Sequence, residues 1–290
     1  MILRSLAAAA ALAALAPAAA QAPAETTPPV QPARASKVVL VGDSTTAVIG
    51  GWGPSFCAYH VASSAACVNL ARGGRSSGSY RAEGSWDLAL AEMRTPGYQG
   101  VWVLIQFGHN DQPGKPGRST DLAAEFPANL RRYVAEARAA GARPVLVTPL
   151  VRRQFVAGRH QNDLASWAEA VRRVAAETGT PLVDLNARSA AAVQALGPAL
   201  AARFARTAPS TQVAAAALTG TTIPASTGTA VAPAATPAQD NAAVEPLGRA
   251  RLAFDYTHLG RDGADFFAAM VATELARAVP ALRPLLVVPR

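Results

Sequence analysis

The chain has 290 residues, a formal net charge of +8, half of its residues hydrophobic, and two cysteines. So few cysteines exclude a disulfide-framework miniprotein, and beyond the N-terminus no apolar run is long enough to span a bilayer. The basic balance suits nucleic acid, anionic surfaces or acidic polymers, but the arginines are scattered in pairs (Arg131 with Arg132, Arg152 with Arg153, Arg172 with Arg173) without aromatic interleaving, which argues against nucleic acid.

Residues 1–22 combine an early Arg4, an Ala/Leu-rich stretch and small residues at Ala18 and Ala20, the pattern of a secretory signal peptide. A secreted or periplasmic protein is expected, with no stable membrane insertion. Residues 23–36, rich in Pro, Thr and Ala, read as a flexible linker. Residues 37–290 remain, enough for one α/β domain with a full core.

Within that domain "KVVLVG" (37–42) is a β-branched run ending in Gly, as suits a buried parallel strand. Cys57 and Cys67 follow in a loop-like region. Export would allow a disulfide between them, and two separate thiols are the alternative. "CVNL" (67–70) is a weaker strand and "VWVLIQF" (101–107) the strongest; "RPVLVTP" (143–149) and "TPLVDL" (180–185) complete five. Between them, residues 121–141 place Leu122, Phe126, Leu130, Tyr133, Val134 and Ala137 at helical spacing and stop at Gly141. Residues 163–179 repeat the layout, with Asp163 as the expected cap and Gly179 as the stop. A last helix over 263–279 carries Phe266, Phe267, Met270, Val271 and Leu275. Strands alternating with helices predict a doubly wound α/β domain, its parallel sheet covered on both faces. Residues 207–239 interrupt the pattern with no charged and no aromatic residue, and are expected to be a disordered insertion inside the domain.

Polar clusters end several of these strands, and in open α/β sheets ligands bind beyond the carboxyl ends. "DYTHLG" (255–260) sets Asp255 and His258 three residues apart, the spacing at which a carboxylate can orient an imidazole as a general base. Two serines compete as nucleophile. Ser76 lies in "GRSSG", a literal G-x-S-x-G. Ser44, in "VLVGDSTT", leaves its strand within two residues, whereas the strand before Ser76 ends several residues earlier; context favours Ser44. Acyl transfer also needs donors where the oxyanion develops. The backbone N–H of Ser44, a glycine N–H from "NLARGGRS" and the side-chain amide of Asn110 in "QFGHND" can supply them from three neighbouring strand ends.

"GDST", "NLARGGRS", "QFGHND" and "DYTHL", in this order, resemble blocks I, II, III and V of the SGNH (GDSL-type) hydrolases, most of all the rhamnogalacturonan acetylesterase-like branch, whose strand-four motif is similar to "VTPLVRRQF" here. The resemblance runs from about Val38 to Leu275. It implies a three-layer α/β/α sandwich with a five-stranded parallel sheet, flavodoxin-like in layout. It also implies Ser44 as nucleophile, His258 as base, Asp255 as orienter, and an oxyanion hole of Ser44, Gly74 and Asn110. No metal or organic cofactor is implied.

The function expected is that of an exported acetylesterase acting on a plant-type polysaccharide, rhamnogalacturonan or another pectin first. Arg75, Arg152 and Arg153 are candidate contacts to its carboxylates, and a monomer is expected. The alternatives are an acetyl-xylan, aryl or lipid esterase of the same superfamily, or a non-catalytic polysaccharide-binding protein.

Overall fold

A computed structural model of the protein describes residues 35–228 and 252–289. The expected signal peptide and most of the expected linker lie outside these residues, although Ser36, placed in the linker, opens the first strand.

The sheet is built from β1 (Ser36–Gly42), β2 (Ala65–Asn69), β3 (Val101–Gln106), β4 (Arg143–Val147) and β7 (Leu182–Val183), all parallel, in the order β2-β1-β3-β4-β7. A small antiparallel hairpin, β5 (Phe155–Val156) with β6 (Arg159–His160), stands apart. Because successive strand residues face opposite ways, each central strand feeds two cores. Val38, Leu40, Trp102, Leu104, Val145 and Val147 enter one; Val39, Val41, Val103, Ile105 and Leu146 enter the other. The first is closed by α6 (Leu185–Ala202) and α8 (Arg261–Ala278). The second is closed by α3 (Ser85–Met93), α4 (Glu125–Ala139) and α5 (Ala165–Thr178). Two cores on two faces make three layers, the α/β/α sandwich read from the sequence.

The helix stops are where the glycines put them: Gly141 and Gly179 adopt φ of 80° and 58°, which lets the chain reverse without a Cβ penalty. Asp163 does not cap α5. It pairs with Arg152 and accepts from Gln112, leaving Leu164 at the N-cap. In α8, Phe267, Val271 and Leu275 are buried as expected, while Phe266 is rotated outward onto Phe204. Among the described residues no helix is long and apolar enough to cross a membrane.

Residues 207–228 depart from the disorder expected of them; residues 229–239 lie outside the described residues. Ser210 caps α7 (Thr211–Leu218) by accepting from the Val213 N–H, and Val213 and Ala217 are buried. Val213 packs in a third small core with Ala202, Phe254 and Tyr256. The surface that orders this segment comes from outside it, so its own composition could not reveal it. Val213→Asp would bury an unpaired charge, costing more than ~2 kcal/mol. The melting temperature, read by circular dichroism, is therefore expected to drop by at least about 4 °C; a disordered segment would tolerate the change.

Candidate active site

Sheet order reverses beside β1, since β2 lies on one flank and β3 on the other. That reversal opens a crevice at the carboxyl ends of the strands. Gly42 is in register with Gln106, so residues 43–44 and 107–110 leave the sheet side by side. Asp43 shapes the first turn: its Oδ1 accepts from the Thr45 N–H (2.9 Å) and the Thr45 hydroxyl (2.8 Å). Gln106 braces the same turn, its Oε1 accepting from Thr46 Oγ1 and Trp52 Nε1 and its Nε2 donating to Thr45 Oγ1. Asn69 donates to Thr46 O from the β2 side. Ser44 is thereby presented from a turn with little freedom to move.

His258 Nε2 lies 2.9 Å from Ser44 Oγ, and His258 Nδ1 lies 2.8 Å from Asp255 Oδ2. A carboxylate only accepts, so Nδ1 carries the proton and Nε2 is left to accept from the serine hydroxyl. Asp255 Oδ1 also accepts from the backbone N–H groups of Thr257 (2.7 Å) and His258 (2.6 Å). Burial pushes the Asp255 carboxyl upward, but the His258 contact and these two N–H groups outweigh it and hold it below its ordinary value. The group is ionised at neutral pH.

Ser76 sits elsewhere. It is fully buried, its Oγ accepts from the Ser79 N–H at 3.1 Å, and no imidazole bonds to it. Its G-x-S-x-G is a turn preceding a short helix (Ser79–Ala82) rather than an elbow. Gly74 adopts φ of 77° in the loop after β2. Asn110 Nδ2 donates to Arg75 O at 3.1 Å, which sets its amide beside the residue that follows Gly74. Ser44, Gly74 and Asn110 thus come from three loops at adjacent strand ends, and the second N–H of the Asn110 amide is not used in that bond.

Two of the three arginines expected to meet substrate cannot do so. Arg75 is 1% exposed and is spent on Glu83 and the Gly73 carbonyl. Arg153, also 1% exposed, donates to the carbonyls of Thr257 (3.1 Å), Asp255 (3.1 Å) and His258 (2.9 Å). Its own N–H donates to Tyr256 O at 2.9 Å. One guanidinium therefore gathers the loop that carries Asp255 and His258. Burial lowers the Arg153 pKa to about 10, against the pull of Asp255, so it stays charged at neutral pH. Arg152 alone of the three reaches a cleft, and there it is paired with Asp163.

Three further buried groups were not singled out by the sequence. Asp43 and His109 face each other with Oδ2 and Nδ1 3.3 Å apart. Burial, aided by the charges of Arg152 and Lys115, lowers the His109 pKa against the pull of Asp43. Each immediately precedes a candidate site residue, Ser44 and Asn110 respectively. Asp111 accepts from Ser77 N, Ser77 Oγ (2.6 Å) and Thr120 Oγ1 (3.0 Å), and burial raises its pKa to about 7 despite these donors. A carboxyl whose folded pKa lies above its unfolded value favours the fold below about pH 4 and loses that advantage as pH rises through about 7. The wild-type melting temperature is therefore expected to fall more between pH 5 and 8 than that of Asp111→Asn, as measured by paired thermal melts.

Cys57 and Cys67 form a disulfide, Cα atoms 5.4 Å apart, between the segment after Ser55 and β2.

A model of the GDSL-like lipase/acylhydrolase family matches residues 40–201. The chain is 39% identical over 171 residues to rhamnogalacturonan acetylesterase RhgT of Bacillus subtilis strain 168, covering 56% of this chain and 70% of that one. It is 35% identical over 164 residues to YesY of the same strain, named a probable rhamnogalacturonan acetylesterase, covering 54% of this chain and 73% of that one. A crystal structure of the Bacillus subtilis protein YxiM shares the fold, with a TM-score of 0.58 at 23% identity, over 85% of this chain and 58% of that one. The family match takes in over half of the chain, from the end of β1 into α6, and the protein belongs to the GDSL-like lipase/acylhydrolase family and is a carboxylic ester hydrolase.

Proposed function

We propose that the protein is an exported acetylesterase that removes O-acetyl groups from a plant-type polysaccharide, rhamnogalacturonan first, through Ser44, His258 and Asp255. The observation that carries the reading is the continuous chain from Ser44 Oγ through His258 to Asp255, at 2.9 and 2.8 Å. The names of RhgT and YesY support the substrate class. The disulfide supports an oxidising compartment, in keeping with removal of residues 1–22 on export.

In this mechanism Ser44 Oγ attacks the acetyl carbonyl carbon as its proton passes to His258 Nε2, and Asp255 stabilises the imidazolium. The oxyanion is met by the N–H groups of Ser44 and Gly74 and by the Asn110 amide. Collapse breaks the ester C–O bond, and the sugar oxygen leaves with the proton from His258. Water then gives a proton to His258 and attacks the acetyl-serine, releasing acetate and restoring the Ser44 hydroxyl. A monomer suffices for this chemistry, since Ser44, Gly74, Asn110, Asp255 and His258 all lie in one chain.

Asn110→Ala is expected to lower kcat by roughly 10²–10³ with KM little changed, the loss for a donor engaged mainly in the transition state. Steady-state kinetics on an aryl acetate measure it; a raised KM with kcat intact would make Asn110 a ground-state contact instead. The substrate class is tested by acetate release from acetylated rhamnogalacturonan, acetylated xylan and acetylated chitooligosaccharides. Release from xylan alone would shift the reading to an acetyl-xylan esterase.

A further inference from the structure

A second cleft, about 590 Å³, borders the site at Asp255 and is lined by two unlike sets of residues. Its size falls within the range of small-ligand sites. One wall is polar: Gln112, Arg152, Gln154 and Asp163. Arg152 and Asp163 are ion-paired there, and Gln112 Nε2 donates to Asp163 O at 3.1 Å. The Gln154 amide, half-buried, is bonded to no other described residue. A second wall is apolar, formed by Ile223, Pro224 and Ala225 of the segment after α7.

That wall is fixed in place. Thr222 N donates to Phe155 O at 2.9 Å, Phe155 N donates to Thr222 Oγ1 at 2.9 Å, and Tyr256 Oη donates to Ile223 O at 2.7 Å. The cleft is therefore preformed, and the segment that composition marked as disordered is part of its architecture.

Its electrostatics select the ligand. Among its described lining residues the one cation, Arg152, is already matched by Asp163, and Asp255 adds a second carboxylate. A carboxylate entering would find no unmatched positive partner among the lining residues and one carboxylate, Asp255, left over, a net repulsion. Hydroxyl groups, by contrast, can both donate to the carboxylates and exchange bonds with the Gln154 amide, while the C–H face of a ring lies on Ile223 and Pro224.

We infer that this cleft is a subsite for a neutral, hydroxyl-bearing sugar residue adjoining the acetylated one, and that residues 222–225 set this specificity. The inference rests on the carbohydrate-esterase reading and locates its selectivity away from Arg75 and Arg153.

The test compares kcat/KM on acetylated rhamnogalacturonan and xylan oligosaccharides with kcat/KM on an aryl acetate too small to reach the cleft. In full-length Gln154→Ala and Ile223→Ser the oligosaccharide-to-aryl ratio is expected to fall about tenfold through KM, the loss of one or two good contacts. Neutral recognition also predicts that the same two variants lose this factor equally at about 0.05 and 0.5 M salt, since hydroxyl contacts are not screened. An unchanged ratio in both variants overturns the subsite. So does a loss that Arg152→Gln reproduces only at low salt, because that would be recognition of a carboxylate. Aryl acetate turnover with no turnover of either oligosaccharide would instead defeat the carbohydrate reading on which the subsite rests.

Discussion

Ser44→Ala is expected to lower kcat on an aryl acetate by ~10⁴-fold or more, because no other atom at the strand ends can form the acyl intermediate. Ser76→Ala is expected to keep most of the wild-type rate. The contrast is set by surroundings. Ser44 Oγ has an imidazole nitrogen at 2.9 Å, whereas the Ser76 hydroxyl is buried against Ser79 with no base in reach. The measurement is initial rates on purified variants, with a fluorophosphonate probe and peptide mapping to locate the adduct. An adduct on Ser76 would overturn the assignment.

Asp255→Asn carries the second large effect, a fall in kcat of about 10⁴-fold with the fold retained. An asparagine can keep its carbonyl oxygen on the Thr257 and His258 N–H groups, which Asp255 Oδ1 now holds. Its amide nitrogen would then face His258 Nδ1, where Asp255 Oδ2 is now. Two donors cannot share that contact, so the imidazole turns to its other tautomer, with Nδ1 accepting and Nε2 protonated. Nε2 can then no longer take the proton of Ser44. The predicted signature is a collapsed kcat, a KM close to wild type and an unchanged melting temperature. A rate within about tenfold of wild type would separate Asp255 from the base and direct attention to Asp262 or Asp265.

The sheet was legible because buried parallel strands write themselves as β-branched runs, and Val38 through Val41 divide between two cores as alternation requires. Two of the candidate site residues were legible for a related reason: polar groups at the ends of such runs have no structural excuse in the run itself, and Ser44 and Asn110 follow β1 and β3 in this way. Asp255 and His258 lie instead in the loop ahead of α8, where only their spacing of three residues marked them; in the structure His258 bonds to both Asp255 and Ser44.

What stayed hidden depends on partners distant in the chain. Arg153 reads as a surface arginine until the carbonyls of residues 255, 257 and 258, about a hundred positions later, are laid against it. Asp43 and His109 look like ordinary flanks of two motifs, yet they meet across the sheet in full burial. In α6 the chain kinks at Gly197, beside Pro198, and resumes its helix. Val213 lacks amphipathic neighbours in sequence and finds Phe254 and Tyr256 in space.

The Arg153 clamp has a consequence for how this chain can vary. The position of the acid–base pair is set by three carbonyls docked on a guanidinium anchored after β4. Backbone oxygens are present whatever side chain the residue carries, so this contact leaves the side chain of Thr257 free to vary. Arg153 has no such latitude: the single ammonium of a lysine lacks the planar fork that holds three acceptors at once.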